Sequence, residues 1–254
     1  MIKILLPIAF AAALTAGGAH ADSFVNGSFE NGDLTGWTGG GGSWNGNPIA
    51  PVPASNYAGG PSNNTVVGVG IDPFTGLSTV YGGSYAARVN DRVNDYSVST
   101  LTQTVKNYTN NDIYFSWQAV LEGSHGLTDS DYFSLTLHDD TDNVDLVSRA
   151  YSSAGDLGGG ATGVTWKDYL GNGWFSAGWV IEHIDVAALN AIGHDFTLTL
   201  LASDCPYGGH AGYAYLDGFG SVTPPVGTPE PGSLALLGLG LAGLAASRRK
   251  KAVA

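Results

Sequence analysis

The chain is nearly without sulfur: of 254 residues, one is Cys and one is Met. A lone Cys205 excludes an intrachain disulfide framework and any four-cysteine zinc site. Charge is scarce as well, with Asp, Glu, Lys and Arg together at 13%. Basic residues are the scarcest, 10 Lys and Arg against 22 Asp and Glu, for a formal net charge of −12. So acidic a chain is unsuited to neutralising phosphates, which argues against nucleic acid as a partner. No stretch between Asp22 and Thr223 sustains a 3.6-residue apolar period for three turns. Internal repeats are missing, which removes solenoids and propellers. Neither a G-x-S-x-G elbow nor an H-E-x-x-H pair occurs. Abundant carboxylates do not replace them, because among so many acids some glycosidase-like pair arises by chance.

What remains is 43% hydrophobic and carries 38 Gly, enough for a real core and many tight turns. The charge is unevenly placed. Lys3 lies near the N-terminus, and Arg248, Arg249, Lys250 and Lys251 cluster near the C-terminus. Between Asp22 and Asp217 five basic residues face 21 acidic ones, a formal −16. Such a domain repels anionic polymers and offers oxygen ligands to divalent cations.

Both ends read as addresses. Lys3, an apolar run from Ile4 to Leu14 and the Ala19-His20-Ala21 site form a secretory signal peptide over residues 1–21. After a linker at 224–228 come Pro229-Glu230-Pro231, an apolar stretch from Leu234 to Ala246 and the basic cluster. The apolar stretch would rise roughly 20 Å as a helix, short of the ~30 Å hydrocarbon core. Its basic flank would stay on the cytoplasmic side, leaving the acidic domain outside. This three-part end, residues 229–254, resembles the PEP-CTERM sorting signal. The resemblance implies a Gram-negative exporter and an exosortase that acts near Pro229, Glu230 and Pro231. It also implies transient membrane anchoring through the short helix, with Arg248 and Arg249 in the basic tail. Cell-surface or extracellular delivery, and a link to exopolysaccharide and biofilm, are implied with it.

Residues 22–223 read as one all-β domain. Ile113, Phe115, Trp117, Ala119 and Leu121 alternate with polar neighbours, as do Phe133, Leu135 and Leu137. Val98 to Val105, Trp174 to Ile184 and Phe196 to Ala202 are further predicted strands, and Val144 to Ala150 is a hairpin arm beyond the acidic turn Asp139–Asn143. Only Asp185 to Ile192 suggests a short helical turn, with Asp185 as its cap. Gly39 to Gly42, Pro48 to Pro61 and Gly155 to Gly163 read as loops. Two packed antiparallel sheets bury such strands most simply.

The segment Phe24-Val25-Asn26-Gly27-Ser28-Phe29-Glu30, with Leu34 and Gly36-Trp37, resembles the first strand of galactose-binding-like and carbohydrate-binding-module jelly rolls. Gly83 to Val89, Leu101 to Val105, Tyr114 to Trp117 and Tyr213 to Phe219 follow in the order of that family. The expected fold is therefore a jelly-roll β-sandwich. The resemblance implies a structural calcium held by Glu30, the Ser28 carbonyl and Asp217, tying the opening strand to the closing one. The closing motif reads Leu-Asp-Gly, which lacks one further ligand of the Leu-Asp-Asp form.

A second polar group lies in Ser203 to Tyr213, where Asp204 and His210 are candidate metal or ligand contacts. Cys205 beside His210 also admits a nucleophilic reading, against an ordinary turn in which the thiol packs as a small hydrophobe. Trp44, Tyr57 and Trp166 stand in Gly-rich loops where a flat ring could stack on a sugar. The sequence thus predicts an exported, non-catalytic surface or matrix protein that binds or organises exopolysaccharide. A secreted polysaccharide hydrolase or lyase, and a coat protein without a glycan ligand, are the alternatives.

Overall fold

The computed structural model describes residues 24–44, 53–123, 126, 129–153 and 165–221. The signal peptide (Ala19, Ala21) and the sorting tail (Pro229, Glu230, Pro231, Arg248, Arg249) lie outside the described residues, as does the C-terminal apolar stretch. Among the described residues no helix is long and apolar enough to cross a membrane.

The described chain forms eleven strands: β1 Thr38–Ser43, β2 Thr65–Gly68, β3 Tyr85–Val89, β4 Ser97–Val105, β5 Asp112–Glu122, β6 Tyr132–Asp139, β7 Val144–Ser152, β8 Trp174–Ser176, β9 Val180–Asp185, β10 Phe196–Ser203 and β11 Gly212–Ser221. They make two antiparallel sheets, ordered β1-β4-β10-β6-β7 and β2-β3-β11-β5-β8. β9 continues the second sheet's edge by pairing with the first half of β5. This is a β-sandwich, as the alternating pattern predicts.

Alternation decides what faces the core. Leu101 and Val105 of β4, Phe133, Leu135 and Leu137 of β6, and Phe196, Leu198 and Leu200 of β10 face Phe115, Trp117, Ala119 and Leu121 of β5. Trp117 stacks on Phe133 with ring centroids 4.9 Å apart. Each such large apolar side chain contributes about 1.5–3 kcal/mol by leaving water. The indole nitrogen of Trp117 donates to Glu182 at 3.0 Å, and Arg149 of β7 grips the same carboxylate with two bonds of 2.8 Å. That bidentate pair joins the two sheets across the sandwich.

Three expectations are corrected. Gly39 to Gly42 is not a loop but most of β1, paired with β4 from Thr38↔Thr102 to Ser43↔Ser97. Residues 24–37, expected as the first strand, form successive turns instead. Asn26 and Phe29 there have φ of 50° and 59°, a left-handed turn geometry that interrupts an extended strand at non-glycine residues. The 174–184 segment is two strands, broken at Gly178, whose φ is 73°. Asp185 does cap a turn, accepting from the Ala188 amide at 2.8 Å. The acidic tip after β6 is a turn in which Asp139 accepts the amides of Thr141 and Asp142, each at 3.0 Å.

Candidate functional site

Glu30 and Asp217 meet around one short loop. Asp217, 2% exposed near the end of β11, accepts the amides of Tyr81 and Gly82 at 3.0 and 2.8 Å. Glu30, from the opening turns, accepts those of Ser84 and Tyr85 at 2.9 and 3.1 Å. Gly83 lies between these amides with φ of +71°, and a Cβ there would sit 2.3 Å from the Glu30 carboxylate. Burial, reinforced by the nearby Glu30 charge, pushes the Asp217 carboxyl up to about 7 against the pull of its amide donors. The Gly27 carbonyl, next to Ser28, accepts the Phe219 amide at 2.9 Å, so the opening turns are docked on β11. The expected pair is thus assembled on the loop between β2 and β3, whose amides supply its donors.

The 203–213 segment divides its polar residues between two jobs. Asp204, fully buried, accepts the amides of Asp95 and Ser97 at 3.0 and 2.9 Å, the Ser97 hydroxyl at 3.0 Å and the Asn90 amide nitrogen at 3.2 Å. Its carboxyl is pushed up to about 7 by burial, which outweighs those donors. It is a structural hub and is not directed at His210. The His210 ring instead lies with its Nδ1 3.6 Å from Asp129 Oδ1. Burial and the neighbouring Asp129 carboxylate push the Cys205 thiol up to about 11, so the nucleophilic reading fails on chemistry.

The aromatic candidates are less available than the sequence suggests. Trp44 is only 4% exposed and packs with Val98 and Leu201, which corrects its reading as a stacking ring. Trp166 is partly buried against the main core, edge-on to Tyr151 at 5.2 Å. Tyr57 is half-buried beside β1 at the end of a 3-10 turn, Ala54–Tyr57.

That turn walls a cleft that no sequence motif announced. It has a volume of about 350 Å³ and opens on the outer face of the five-stranded sheet. Thr38 of β1, Thr100 and Thr102 of β4, and Thr199 of β10 supply hydroxyls; Ala54 and Ser55 form the opposing wall. Gly40 forms its floor, and a Cβ there would lie 2.4 Å from the Tyr57 carbonyl and 2.6 Å from the Thr100 hydroxyl. The Thr row runs on across β4 and β10, with Thr104 and Thr197 hydroxyls 2.8 Å apart. The signal was present in the sequence as Thr at every solvent-side position of 100–104 and 197–199, on strands that no local pattern shows to be neighbours.

The opposite outer face is closed. Tyr213 and Tyr215 of β11 donate to the fully buried Asp72 at 2.6 and 2.7 Å, beneath Phe74, Trp174 and Trp179. Arg92 bonds Tyr215 at 2.8 Å and completes the cover.

Residues 228–250 match the PEP-CTERM protein-sorting motif. The chain therefore carries the C-terminal sorting signal of an exported protein. No curated protein matches it by sequence. Among solved structures it is similar to TmCBM61 in complex with beta-1,4-galactotriose, at 14% identity over 77% of this chain and 94% of that one, with a TM-score of 0.38. It is similar to CBM28, a non-crystalline cellulose-specific carbohydrate-binding module, at 12% identity over 80% and 95%, with a TM-score of 0.35. A third likeness is to the enzymatically active domain of the bacteriophage CBA120 tailspike protein 4, at 11% identity over 78% of this chain but 21% of that chain, with a TM-score of 0.35.

Proposed function

We propose that this exported domain is a non-catalytic glycan-binding protein of the cell surface or extracellular matrix, using the outer face of its five-stranded sheet. The observation that carries this reading is the hydroxyl-lined cleft between that sheet and the Ala54–Tyr57 turn. Its volume falls at the small end of the ~300–1,000 Å³ common for ligand sites. Threonine hydroxyls held by a sheet donate and accept in fixed directions, which suits the hydroxyls of a sugar ring. Tyr57 stands at the turn that forms the wall, and the Thr ladder extends the polar surface along the sheet for further residues of a polymer. An exosortase is the processing partner, and exopolysaccharide is the glycan the sorting signal favours. Calcium at Glu30 and Asp217 would serve as a structural ion, holding the opening turns against β11.

Retention on the producing cell's own exopolysaccharide tests the reading in affinity electrophoresis. The full chain should be retarded, and Thr102→Val with Thr199→Val should weaken retention about tenfold, the loss expected for about 1.4 kcal/mol of hydrogen bonding. No retardation, or retention indifferent to both substitutions, would remove the sheet face as the site. Release of reducing ends or unsaturated sugars would replace binding with catalysis and favour the hydrolase or lyase.

A further inference from the structure

Among residues that do not line the Thr cleft, three potential metal ligands converge from three strand termini. Asp129 precedes β6, and its amide donates to the Gly126 carbonyl at 3.0 Å. Cys205 follows β10, and His210 precedes β11. The loop between them is closed on itself: the Cys205 amide donates to the His210 carbonyl at 3.1 Å, and the Gly208 amide to the Cys205 carbonyl at 3.3 Å. Gly208 and Gly209, with φ of 79° and 106°, allow that closure, and Asn94 accepts the Gly209 amide at 2.8 Å. The backbone of this loop is therefore fixed, and it presents thiol and imidazole to the same point.

We propose that Asp129, Cys205 and His210 bind a divalent transition-metal ion of the zinc class through a carboxylate oxygen, a thiolate and an imidazole nitrogen.

The distances suit such an ion. All three ligand atoms lie within 4.8 Å of one another, and His210 Nδ1 stands 3.6 Å from Asp129 Oδ1. Tetrahedral zinc with bonds of roughly 2.0–2.3 Å needs ligand-to-ligand edges of about 3.3–3.7 Å, so small side-chain movements suffice. The mixture of one soft and two borderline or hard donors favours zinc over calcium or magnesium. The Cys205 and His210 side chains are buried, whereas the Asp129 carboxylate is 24% exposed, leaving an entry path and a fourth position on the solvent side.

The site is independent of the Glu30–Asp217 pair, which contains neither sulfur nor nitrogen.

Cobalt titration of the reduced, untagged full chain, with excess calcium throughout, tests the site. The expected result is one equivalent of Co²⁺ bound, with a thiolate charge-transfer band in the near ultraviolet and visible bands of a tetrahedral ion, all displaced by Zn²⁺. Cys205→Ser should abolish the charge-transfer band, and Asp129→Asn should weaken binding by about tenfold or more while leaving the circular dichroism of the fold unchanged. A thiol count after unfolding confirms that Cys205 is reduced. With that count at one, absence of the charge-transfer band overturns the proposal. So does a spectrum and affinity left intact by both Asp129→Asn and His210→Gln, which would place the ion elsewhere.

Discussion

At the scale of single residues, the buried carboxylates set how this domain responds to acid. Asp204 and Asp217 both stand near 7 in the fold because burial outweighs the amides they accept. In an unfolded chain an Asp ionises near about 3.9. Between about pH 4 and 7 the folded chain therefore holds protons that the unfolded chain has released, so stability from these groups falls as pH rises and levels off above 7. His138 and His194 act in the same direction, raised above their ordinary 6.5 chiefly by the hydrogen bonds they donate to Asp145 and Asp139. Their contribution is full below 6.5 and is lost as pH climbs through the folded values. In chelator, the melting temperature of the full chain should decline from about pH 5 to 8, and Asp217→Asn should make that decline shallower. Calcium added at the alkaline end should recover part of the loss in the parent and not in Asp217→Asn. A melting temperature that rises over this range would contradict the titration, and indifference to calcium would remove the ion from Glu30 and Asp217.

At the scale of elements, β1 shows where local pattern stops carrying information. Gly39 to Gly42 has no side chains to alternate, so no period exists to mark it as a strand. Its identity comes from what lies over it. The chain from Tyr57 to Pro61 crosses β1 so closely that a Cβ on Gly41 would stand 2.2 Å from the Pro61 carbonyl. Only a strand without side chains can hold hydrogen bonds to β4 and admit that covering layer. Gly40→Val should accordingly destabilise the fold by about 2 kcal/mol or more, through clashes with the Tyr57 carbonyl and Thr100, and should close the cleft. Urea unfolding reads the first effect and affinity electrophoresis the second; a variant as stable as the parent would mean that the crossing chain is not fixed. By contrast, the segments that became β5, β6 and β10 were legible to within a few residues because most of their apolar positions alternate, and β7 was legible as the hairpin arm beyond the acidic turn. The cleft was not legible for the same reason β1 was not. Thr102 and Thr199 are 97 residues apart, and only sheet order brings their hydroxyls to 3.4 Å. The pairing of Cys205 and His210 with Asp129 was likewise hidden, since three strand ends must converge before those atoms meet.

At the scale of the whole molecule, the sandwich has one closed outer face and one open one. The six-stranded sheet spends its outer Tyr213 and Tyr215 on Asp72 and covers them with Phe74, Trp174 and Trp179, so no polymer can reach it without removing that cover. The five-stranded sheet leaves its Thr ladder to solvent, and the cleft lies within it. Net charge then restricts which polymer is suitable. A formal −16 between Asp22 and Asp217 repels uronate or sulfate chains at long range, whereas a neutral chain experiences no such field. Hydroxyl-to-hydroxyl contacts are also insensitive to ionic strength, unlike pairing between separated charges, which is screened beyond about 10 Å at 0.1 M salt. Retention on a neutral glycan should therefore stay unchanged as salt rises from about 0.05 to 0.5 M, while any retention on an anionic glycan should require calcium and increase with salt as repulsion is screened. Retention on an anionic polymer that weakens steadily with salt, in chelator, would signify a basic contact surface, and the five Lys and Arg of this domain do not supply one. Under the proposed glycan-binding reading, a neutral polymer is accordingly the ligand class that suits both the open face and the charge of the molecule.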